Sequence, residues 1–271
     1  MKHLRIAASA LLASGLVAGS SILPASAGDR GSLDYVALGD SYAAGVGAGS
    51  LGVCGQSPLG YPGLLDERKQ IELTVNATCG GDTVAAVFGE LGALDAGTEL
   101  VTLTVGGNDV QYLNIISLCV QSPNTCEQTV NGALFLAQRD LAPALAALYR
   151  NIATAAPNAE VVVTGYPHLF SPEFGNAITL PIINPATGQP FTLSTAEQQT
   201  LNDGTDVLNE IIRTQATLAG FTYVDVVKRF DKHGLGSPQP WIQPFTDPSA
   251  LHPNAKGYKN GYLHEIRNAL N

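Results

Sequence analysis

The sequence predicts an α/β protein with a three-layer α/β/α (flavodoxin-like) architecture, in which helices cover both faces of a five-stranded parallel sheet. The first observation behind this prediction is the alternation of strand-like and helix-like segments, which continues without an internal repeat or a charged or Ser/Gly-rich linker. The second is the composition of the 271 residues, of which 45% are apolar and 14% are charged. This composition allows a packed core and excludes a disordered tail protein, a collagen repeat and a coiled coil.

Five segments predict the strands. Each is short, rich in Val, Leu, Ile, Thr and Tyr, and bounded by Gly, Asn or Pro, which is typical of strands buried on both faces. These segments are residues 34–38, 71–75, 100–105, 160–164 and 221–226.

Four segments between and after the strands predict helices. They are residues 83–94, 127–155, 195–218 and 254–270. Pro143 predicts a kink in the second helix, because proline cannot donate a backbone hydrogen bond. Ser194 and Glu197 stand at capping-box spacing at the start of the third.

Residues 166–191 form the least regular stretch, where five prolines are interspersed with large apolar residues. A long apolar loop of this kind is more often functional or packed down than free. We therefore expect either a lid or groove over a site, or a loop packed on the core.

The first 27 residues have the features of a secretory signal peptide. Lys2 and Arg5 form a basic start, residues 6–23 are mainly apolar, and residues 25–27 (Ala-Ser-Ala) match a cleavage site. A retained membrane anchor is the alternative, but no charged stop-transfer cluster follows the apolar run. Residues 28–271 are then expected to form a single exported domain.

The charge of the chain limits its partners. Removal of residues 1–27 would take away two positive charges and move the net charge from −9 to −11. Nucleic acid and anionic membrane surfaces need a basic patch, so neither is expected as a partner. No stretch beyond the signal peptide is apolar and long enough to span a bilayer, and we expect a monomer.

The four cysteines predict two disulfides, because an even number in an exported chain favours pairing. Three pairings are formally possible, and the short separations in the chain favour Cys54 with Cys79 and Cys119 with Cys126. A zinc site is the alternative. It is disfavoured because the chain has no Cys-x-x-Cys and no histidine at ligand spacing from a cysteine.

Three polar segments follow the first three predicted strands. They are Gly-Asp-Ser-Tyr at 39–42, Cys-Gly-Gly-Asp at 79–82 and Gly-Gly-Asn-Asp at 106–109. In an open parallel sheet, ligands bind beyond the carboxyl ends of the strands, so these segments are expected to share one edge. Ser41 would be a nucleophile, and the Ser41 and Gly81 amides with the Asn108 side chain would form an oxyanion hole. Taken singly, each residue has an ordinary role as a helix cap or a turn residue.

A general base is still required, and histidine is the usual choice. His3 would leave with the signal peptide, so the candidates are His168, His233, His252 and His264. His252 lies just before the last predicted helix, where a loop reaches the same edge of the sheet.

These segments together resemble the four blocks of the SGNH (GDSL) hydrolases, in their order. The blocks are Gly-Asp-Ser-Tyr at 39–42, Gly81, Gly-Gly-Asn-Asp at 106–109 and His-Pro-Asn at 252–254. The resemblance covers nearly all of the mature chain and is greatest to the secreted actinobacterial lipases, esterases and phospholipases. It implies that residues 28–271 are a single catalytic domain and that Ser41 and His252 are the catalytic residues.

The sequence departs from the family pattern at the residue that orients the histidine. The usual acid three residues before the base is Ser249 here. Some secreted members use a main-chain carbonyl two residues before the histidine, which would be that of Ala250. Asp247 is the alternative, although Pro248 separates it from the base. A third disulfide of related proteins has no counterpart.

The implied activity is cofactor- and metal-independent hydrolysis of a small-molecule or lipid ester, in the pattern of lipid degradation. An acyltransferase using the same residues and a non-catalytic binding module remain alternatives. Residues 47–52 match Gly-x-Gly-x-x-Gly, but two prolines and a cysteine follow where a dinucleotide-binding helix should begin. An ordinary α/β-hydrolase would need Gly-x-Ser-x-Gly, which the chain lacks.

Overall fold

A five-stranded parallel sheet lies at the centre of the computed structural model, with strand order β2-β1-β3-β4-β7. The structure describes residues 31–49 and 52–271, so the predicted signal peptide lies outside the described residues. Ser32–Asn271 form one compact unit. The strands are β1 Leu33–Gly39, β2 Ile71–Asn76, β3 Leu100–Thr104, β4 Glu160–Thr164, β5 Ile178–Ile183, β6 Pro190–Leu193 and β7 Thr222–Val224.

Two of the five sheet strands differ from the expected burial. All residues of β3 are buried, as are most of β1 and β4. Strands β2 and β7 are the edges of the sheet and are largely exposed or half-buried. The prediction that all five are buried on both faces is therefore wrong for β2 and β7, because each has a neighbouring strand on one side only.

Helices flank the sheet and confirm the α/β class. They are α1 Ser41–Ala44, α2 Tyr61–Asp66, α3 Val84–Glu90, α4 Tyr112–Gln121, α5 Cys126–Leu136, α6 Ala142–Ala155, α7 Thr195–Leu218, α8 Val227–Phe230, α9 Ala255–Gly257 and α10 Leu263–Ala269. The four predicted helices are present as α3, α5 with α6, α7, and α9 with α10. Helix α4, which follows the third strand, was missing from the prediction.

The segment around Pro143 shows how the chain accommodates a proline inside a helix. Helices α5 and α6 are joined by a π-helical turn, Ala137–Leu141, just before this proline. Because proline has no N–H and its ring crowds the carbonyl of the preceding turn, the wider turn takes up the mismatch. A second π-helical turn, Tyr258–Tyr262, joins α9 to α10.

The start of α7 confirms the capping box. The Ser194 hydroxyl accepts from the Glu197 amide at 3.3 Å, and the Glu197 carboxylate accepts from the Ser194 amide at 2.7 Å. This reciprocal pair satisfies two backbone donors that the helix itself leaves free.

Residues 166–191 are more regular than expected. Strand β5 lies within this stretch, β6 begins at its end, and the two form an antiparallel hairpin. Leu180 and Leu193 of the hairpin are buried, while Ile182 and Ile183 are exposed. The prolines at the strand positions obscured the pattern in the sequence, since proline is confined to edge strands.

Both predicted disulfides are confirmed, Cys54–Cys79 and Cys119–Cys126. The first links two loops beyond the carboxyl ends of β1 and β2. The second links α4 to α5. In the part of the chain that the structure describes, no helix has the length and hydropathy of a membrane span.

Candidate active site

The turn between β1 and α1 holds the side chain of Ser41. Gly39 has a φ of 117°, and a Cβ there would lie 2.2 Å from the Thr104 carbonyl oxygen, so only glycine fits. Asp40 caps α1, with its Oδ1 accepting from the Tyr42 amide at 2.9 Å. These contacts fix Ser41 as the first residue of α1.

Ser41 and His252 meet at this edge of the sheet. The Ser41 Oγ lies 2.8 Å from the His252 Nε2. The His252 Nδ1 lies 3.0 Å from the Ala250 carbonyl oxygen and 3.2 Å from that of Ser249. Because carbonyl oxygens only accept, the proton of the neutral ring is assigned to Nδ1, and Nε2 is left to accept the serine proton.

Burial lowers the pKa of His252 below its ordinary value, although the two carbonyl contacts act in the opposite direction. Desolvation disfavours the charged imidazolium. The ring is therefore neutral at pH 7, as a general base must be.

Asp247 lies close in the chain to His252 but serves the turn before it. Its Oδ1 accepts from the Ser249 amide at 2.7 Å. Over the described residues, no hydrogen bond joins the Asp247 carboxylate to the imidazole. The two groups that contact Nδ1 are main-chain carbonyls.

The loop that carries His252 is held from both sides. Leu251 has a φ of 68°, which is unusual for a branched residue and must be maintained by its surroundings. Its amide donates to the Gln243 carbonyl at 3.0 Å, and its carbonyl accepts from the Tyr42 hydroxyl at 2.7 Å. Tyr42, the residue after the serine, therefore links the serine turn directly to the histidine loop.

Three hydrogen-bond donors belong to residues that line one cavity, namely Ser41, Gly81 and Asn108. Gly81 has a φ of 91°, and its amide and that of Ser41 donate to no protein acceptor within the described residues. The Asn108 Nδ2 donates to the Asp82 carbonyl at 2.8 Å, which ties the loop after β3 to the loop after β2 and leaves one amide hydrogen for a ligand. The set has the composition of an oxyanion hole.

Two further carboxyl groups brace these loops. Both Asp109 oxygens accept from the Val84 amide, at 3.2 and 3.1 Å, which fixes the start of α3. Glu90 accepts from the Gly39 amide at 2.7 Å. Burial raises the pKa of Glu90 to about 9, and the nearby charge of Asp82 adds to the increase. Glu90 is consequently neutral at pH 7.

Asp40 is buried beneath the serine turn. Its Oδ2 accepts from the Tyr166 hydroxyl at 2.5 Å, and that hydroxyl in turn accepts from the Gly107 amide at 2.9 Å. Burial raises the pKa of Asp40 to about 7, and hydrogen bonds from Tyr166 and the backbone partly oppose this increase. Asp40 is therefore a structural group of the turn.

A cavity of about 510 Å³ opens beside Ser41 and His252. Its wall is mainly apolar and is contributed by α4, α7 and the loops after β4 and before α9, with side chains that include Tyr112, Leu113 and Leu208. Three residues of the irregular stretch, Tyr166, Pro167 and Leu169, line it. The β5–β6 hairpin packs against α4 through β6, and none of its residues lines the cavity.

The other histidines are placed elsewhere. The His168 Nε2 contacts Asp206 at 2.8 Å, and His264 contacts its neighbour Glu265. The His233 ring stacks on Trp241 with centroids 3.8 Å apart. Within the described ranges, no group of three or more His, Cys, Asp or Glu side chains is arranged to hold a metal.

Sequence reasoning missed two tyrosines of the site. Tyr42 was part of the first motif, but its contact with Leu251 spans 209 positions of the chain. Tyr166 lay in the irregular stretch, and no pattern in the sequence pointed to its contacts with Asp40 and Gly107.

Comparison with known proteins shows which family the chain resembles over most of its length. The model of the GDSL-like Lipase/Acylhydrolase family matches residues 37–259. A curated relative, Lipase 1 of Streptomyces coelicolor, is 33% identical over 244 residues, which are 87% of this chain and 86% of the relative.

Two solved structures are similar over most of their length. The extracellular lipase of Streptomyces rimosus is 32% identical with a TM-score of 0.76, covering 88% of this chain and 100% of the other. Phospholipase A1 of Streptomyces albidoflavus NA297 is 31% identical with a TM-score of 0.74, covering 88% and 99%.

Proposed function

The chain belongs to the GDSL-like lipase/acylhydrolase family and is a carboxylic ester hydrolase; we propose that it is secreted and cleaves lipid-like acyl esters through an acyl-enzyme on Ser41. The observation that carries the proposal is the 2.8 Å contact between the Ser41 Oγ and the His252 Nε2. A hydroxyl within hydrogen-bond reach of a neutral, oriented imidazole is the arrangement of an activated nucleophile.

In the first half of the proposed reaction, His252 takes the proton of Ser41 while the Oγ attacks the ester carbonyl carbon. The negative oxygen of the tetrahedral intermediate accepts hydrogen bonds from the Ser41 and Gly81 amides and the Asn108 side chain. When the intermediate collapses, the bond to the alcohol breaks, and His252 returns the proton to the leaving oxygen. The acyl group stays on Ser41.

In the second half, a water molecule attacks the acyl carbon and His252 takes one of its protons. The same donors hold the oxyanion, the Ser41 oxygen leaves with the proton from His252, and the carboxylic acid is released. Each half-reaction begins and ends with a neutral imidazole, and His252 carries every proton that is transferred.

The Ala250 carbonyl is the proposed orienting group for His252, with a contribution from that of Ser249. A carbonyl dipole can select the tautomer with the proton on Nδ1, and its negative end also favours the imidazolium that forms during reaction. This arrangement replaces the carboxylate of a triad by main-chain oxygens at 3.0 and 3.2 Å. Asp247 is then a turn residue.

The cavity supports the proposed substrate class. An apolar space of about 510 Å³ beside the serine suits the hydrocarbon part of an acyl ester. The names of similar proteins, a lipase and a phospholipase A1, support an acyl lipid as the class.

Secretion is supported by two features. The pattern of residues 1–27 is that of a signal peptide, and two disulfides are typical of an oxidising compartment. A similar protein, the S. rimosus lipase, is described as extracellular. We propose a monomer, since the cavity and the Ser41–His252 contact are complete within one chain.

A chain-length series of p-nitrophenyl esters, with phospholipid and triglyceride emulsions, tests the proposal on the wild type and Ser41→Ala. We expect hydrolysis by the wild type and a loss of about 10⁴-fold or more in the variant. Equal rates for the two proteins, or a wild type inert to every ester, would contradict the assignment. Mass spectrometry of the wild type during turnover should show the acyl group on Ser41.

A further inference from the structure

Tyr166 makes contacts that the family signature does not explain. It follows β4 by two positions, the residue is 6% exposed, and it comes from a part of the chain that contributes no signature block. We propose that Tyr166 is a positioning residue that sets the distance between the Ser41 turn and the oxyanion loop at Asn108. This inference rests on the proposed serine mechanism.

The Tyr166 hydroxyl joins two loops through a single oxygen atom. It donates to the Asp40 Oδ2 at 2.5 Å and accepts from the Gly107 amide at 2.9 Å. Asp40 directly precedes Ser41, and Gly107 directly precedes Asn108. The hydroxyl is therefore bonded to the residue before the nucleophile Ser41 and to the residue before the oxyanion donor Asn108.

Both oxygens of the Asp40 carboxylate are engaged. Oδ1 accepts from the Tyr42 amide at 2.9 Å, while Oδ2 accepts from Tyr166. Asp40 is 1% exposed, so an oxygen deprived of its partner there would not be compensated by water. The serine turn thus depends on the tyrosine hydroxyl for a hydrogen bond that the solvent cannot replace.

Tyr166 is itself held by Asn209 of the 24-residue helix α7. The Asn209 Oδ1 accepts from the Tyr166 amide at 2.8 Å, and its Nδ2 donates to the Tyr166 carbonyl at 2.8 Å. This paired contact is buried and satisfies both backbone groups of the tyrosine. Tyr166 is therefore anchored to a long helix that lies outside the catalytic loops.

The ring of Tyr166 is also confined. It meets the Tyr42 ring edge to face at a centroid distance of 5.1 Å. A Cβ on Gly107 would lie 3.2 Å from the ring, so the glycine allows the loop to approach this closely. With its backbone clamped and its ring packed, the hydroxyl has little freedom to follow either loop.

The expected consequence of losing this hydroxyl is a slower chemical step. Misplacement of reacting groups by about 1 Å can cost on the order of 10²-fold in rate. Tyr166→Phe keeps the ring and removes only the hydroxyl, which leaves Asp40 and the Gly107 amide without that partner. Substrate binding in the apolar cavity should change little, because the ring of Tyr166 that lines the cavity is kept and its hydroxyl is already bonded to Asp40 and Gly107.

The test compares Tyr166→Phe with Tyr149→Phe. Tyr149 is fully buried in α6, and its hydroxyl has no hydrogen-bond partner among the described residues, so it controls for removal of a buried hydroxyl. The measurements are kcat and KM on a p-nitrophenyl ester, and the rate at which a fluorophosphonate labels Ser41, followed by mass spectrometry. We expect kcat and the labelling rate of Tyr166→Phe to fall at least tenfold with KM within twofold, and Tyr149→Phe to match the wild type.

Near-ultraviolet circular dichroism and the melting temperature establish that each variant is folded at the assay temperature. If Tyr166→Phe does not fold, Asn209→Asp is assayed, which keeps the side-chain size but removes the donor to the Tyr166 carbonyl. It should lower the labelling rate at least threefold with KM unchanged. A folded Tyr166→Phe, or failing that a folded Asn209→Asp, that labels at the wild-type rate overturns the inference while leaving the serine mechanism intact. A wild type that is neither labelled nor active overturns both.

Discussion

We call the edge of the sheet that carries Ser41, His252 and the oxyanion loops the catalytic rim, and the apolar side chains that line the adjoining cavity its wall. The rim and the wall are held by different kinds of contact. At the rim, Ser41, His252 and the oxyanion loops are joined by hydrogen bonds with defined partners, such as the 2.7 Å contact from Tyr42 to Leu251. The wall consists of apolar side chains of α4 and α7, including Leu113 and Leu208. Hydrogen bonds are directional and apolar contacts are not. The atoms of the rim therefore have fixed relative positions, whereas the side chains of the wall can shift more freely.

This difference predicts two kinds of variant. A change at the rim should lower the rate for every ester, because the reacting atoms are common to all substrates. A change at the wall should alter the preference among acyl chains while leaving small esters unaffected. The following predictions test this separation.

After Ser41→Ala, Asn108→Ala should have the largest effect. Loss of one oxyanion donor costs about 10² to 10³-fold in kcat, and the loss should be similar for short and long esters. The measurement is kcat across a series of p-nitrophenyl esters. Asn114→Ala is the matched control, since Asn114 lines the same cavity from α4 and, as a residue of the wall, should retain kcat on the shortest ester within twofold. A comparable loss in both variants would argue against an oxyanion role for Asn108.

Leu113→Ser should have a smaller and selective effect. Leu113 lines the cavity and is 65% exposed, so its contact with an acyl chain is made mainly when substrate binds. With about 0.8 kcal/mol per buried methylene group, loss of part of this contact should reduce kcat/KM for long-chain esters by about threefold to tenfold. Acetate esters should be unaffected.

Leu218→Ser is the control for Leu113. Leu218 is 77% exposed at the end of α7 and is not among the cavity-lining residues. It should leave the chain-length profile unchanged. An equal loss on acetate and long-chain esters in Leu113→Ser would show that the wall and the rim are not separable.

Asp247→Ala should reduce kcat by less than tenfold. Its carboxylate accepts from the Ser249 amide, so the expected cost is a small loss of stability in the turn, visible as a lower melting temperature. A loss near 10³-fold would instead identify Asp247 as the third member of a triad.

The pH dependence of kcat/KM should show the smallest change, a displacement of its acid limb. The base acts when neutral, so activity is present above the pKa of His252 and is lost as the pH falls through it. Burial lowers that pKa below 6.5, and the midpoint should therefore lie below pH 6.5. A midpoint near 7 would instead point to the Asp40 carboxyl, whose pKa burial raises to about 7.

Much of the rim was predictable because a parallel sheet brings the carboxyl ends of its strands to one edge. Ser41 and Asn108 follow the paired strands β1 and β3, whose register sets Gly39 beside Thr104. The two disulfides were predictable because each cysteine pairs with the cysteine nearest to it in the chain. Local chemistry and strand order sufficed in both cases.

Other elements needed the tertiary structure. Helix α4 packs against β6 of the β5–β6 hairpin, and the hairpin contains prolines that argue locally against strands. The exposure of β2 and β7 depends on which strands are at the edges, which is a property of the whole sheet.

The amino-acid sequence by itself determined the α/β class, the two disulfides and the residue types that could form a nucleophile, a base and an oxyanion hole, because these follow from local patterns and strand order. Only the tertiary structure decided that the His252 Nδ1 faces the Ala250 carbonyl and that Tyr166, clamped by Asn209 from 43 positions away, joins Asp40 to Gly107. Such contacts depend on the relative placement of loops by the packed helices, which no single segment encodes.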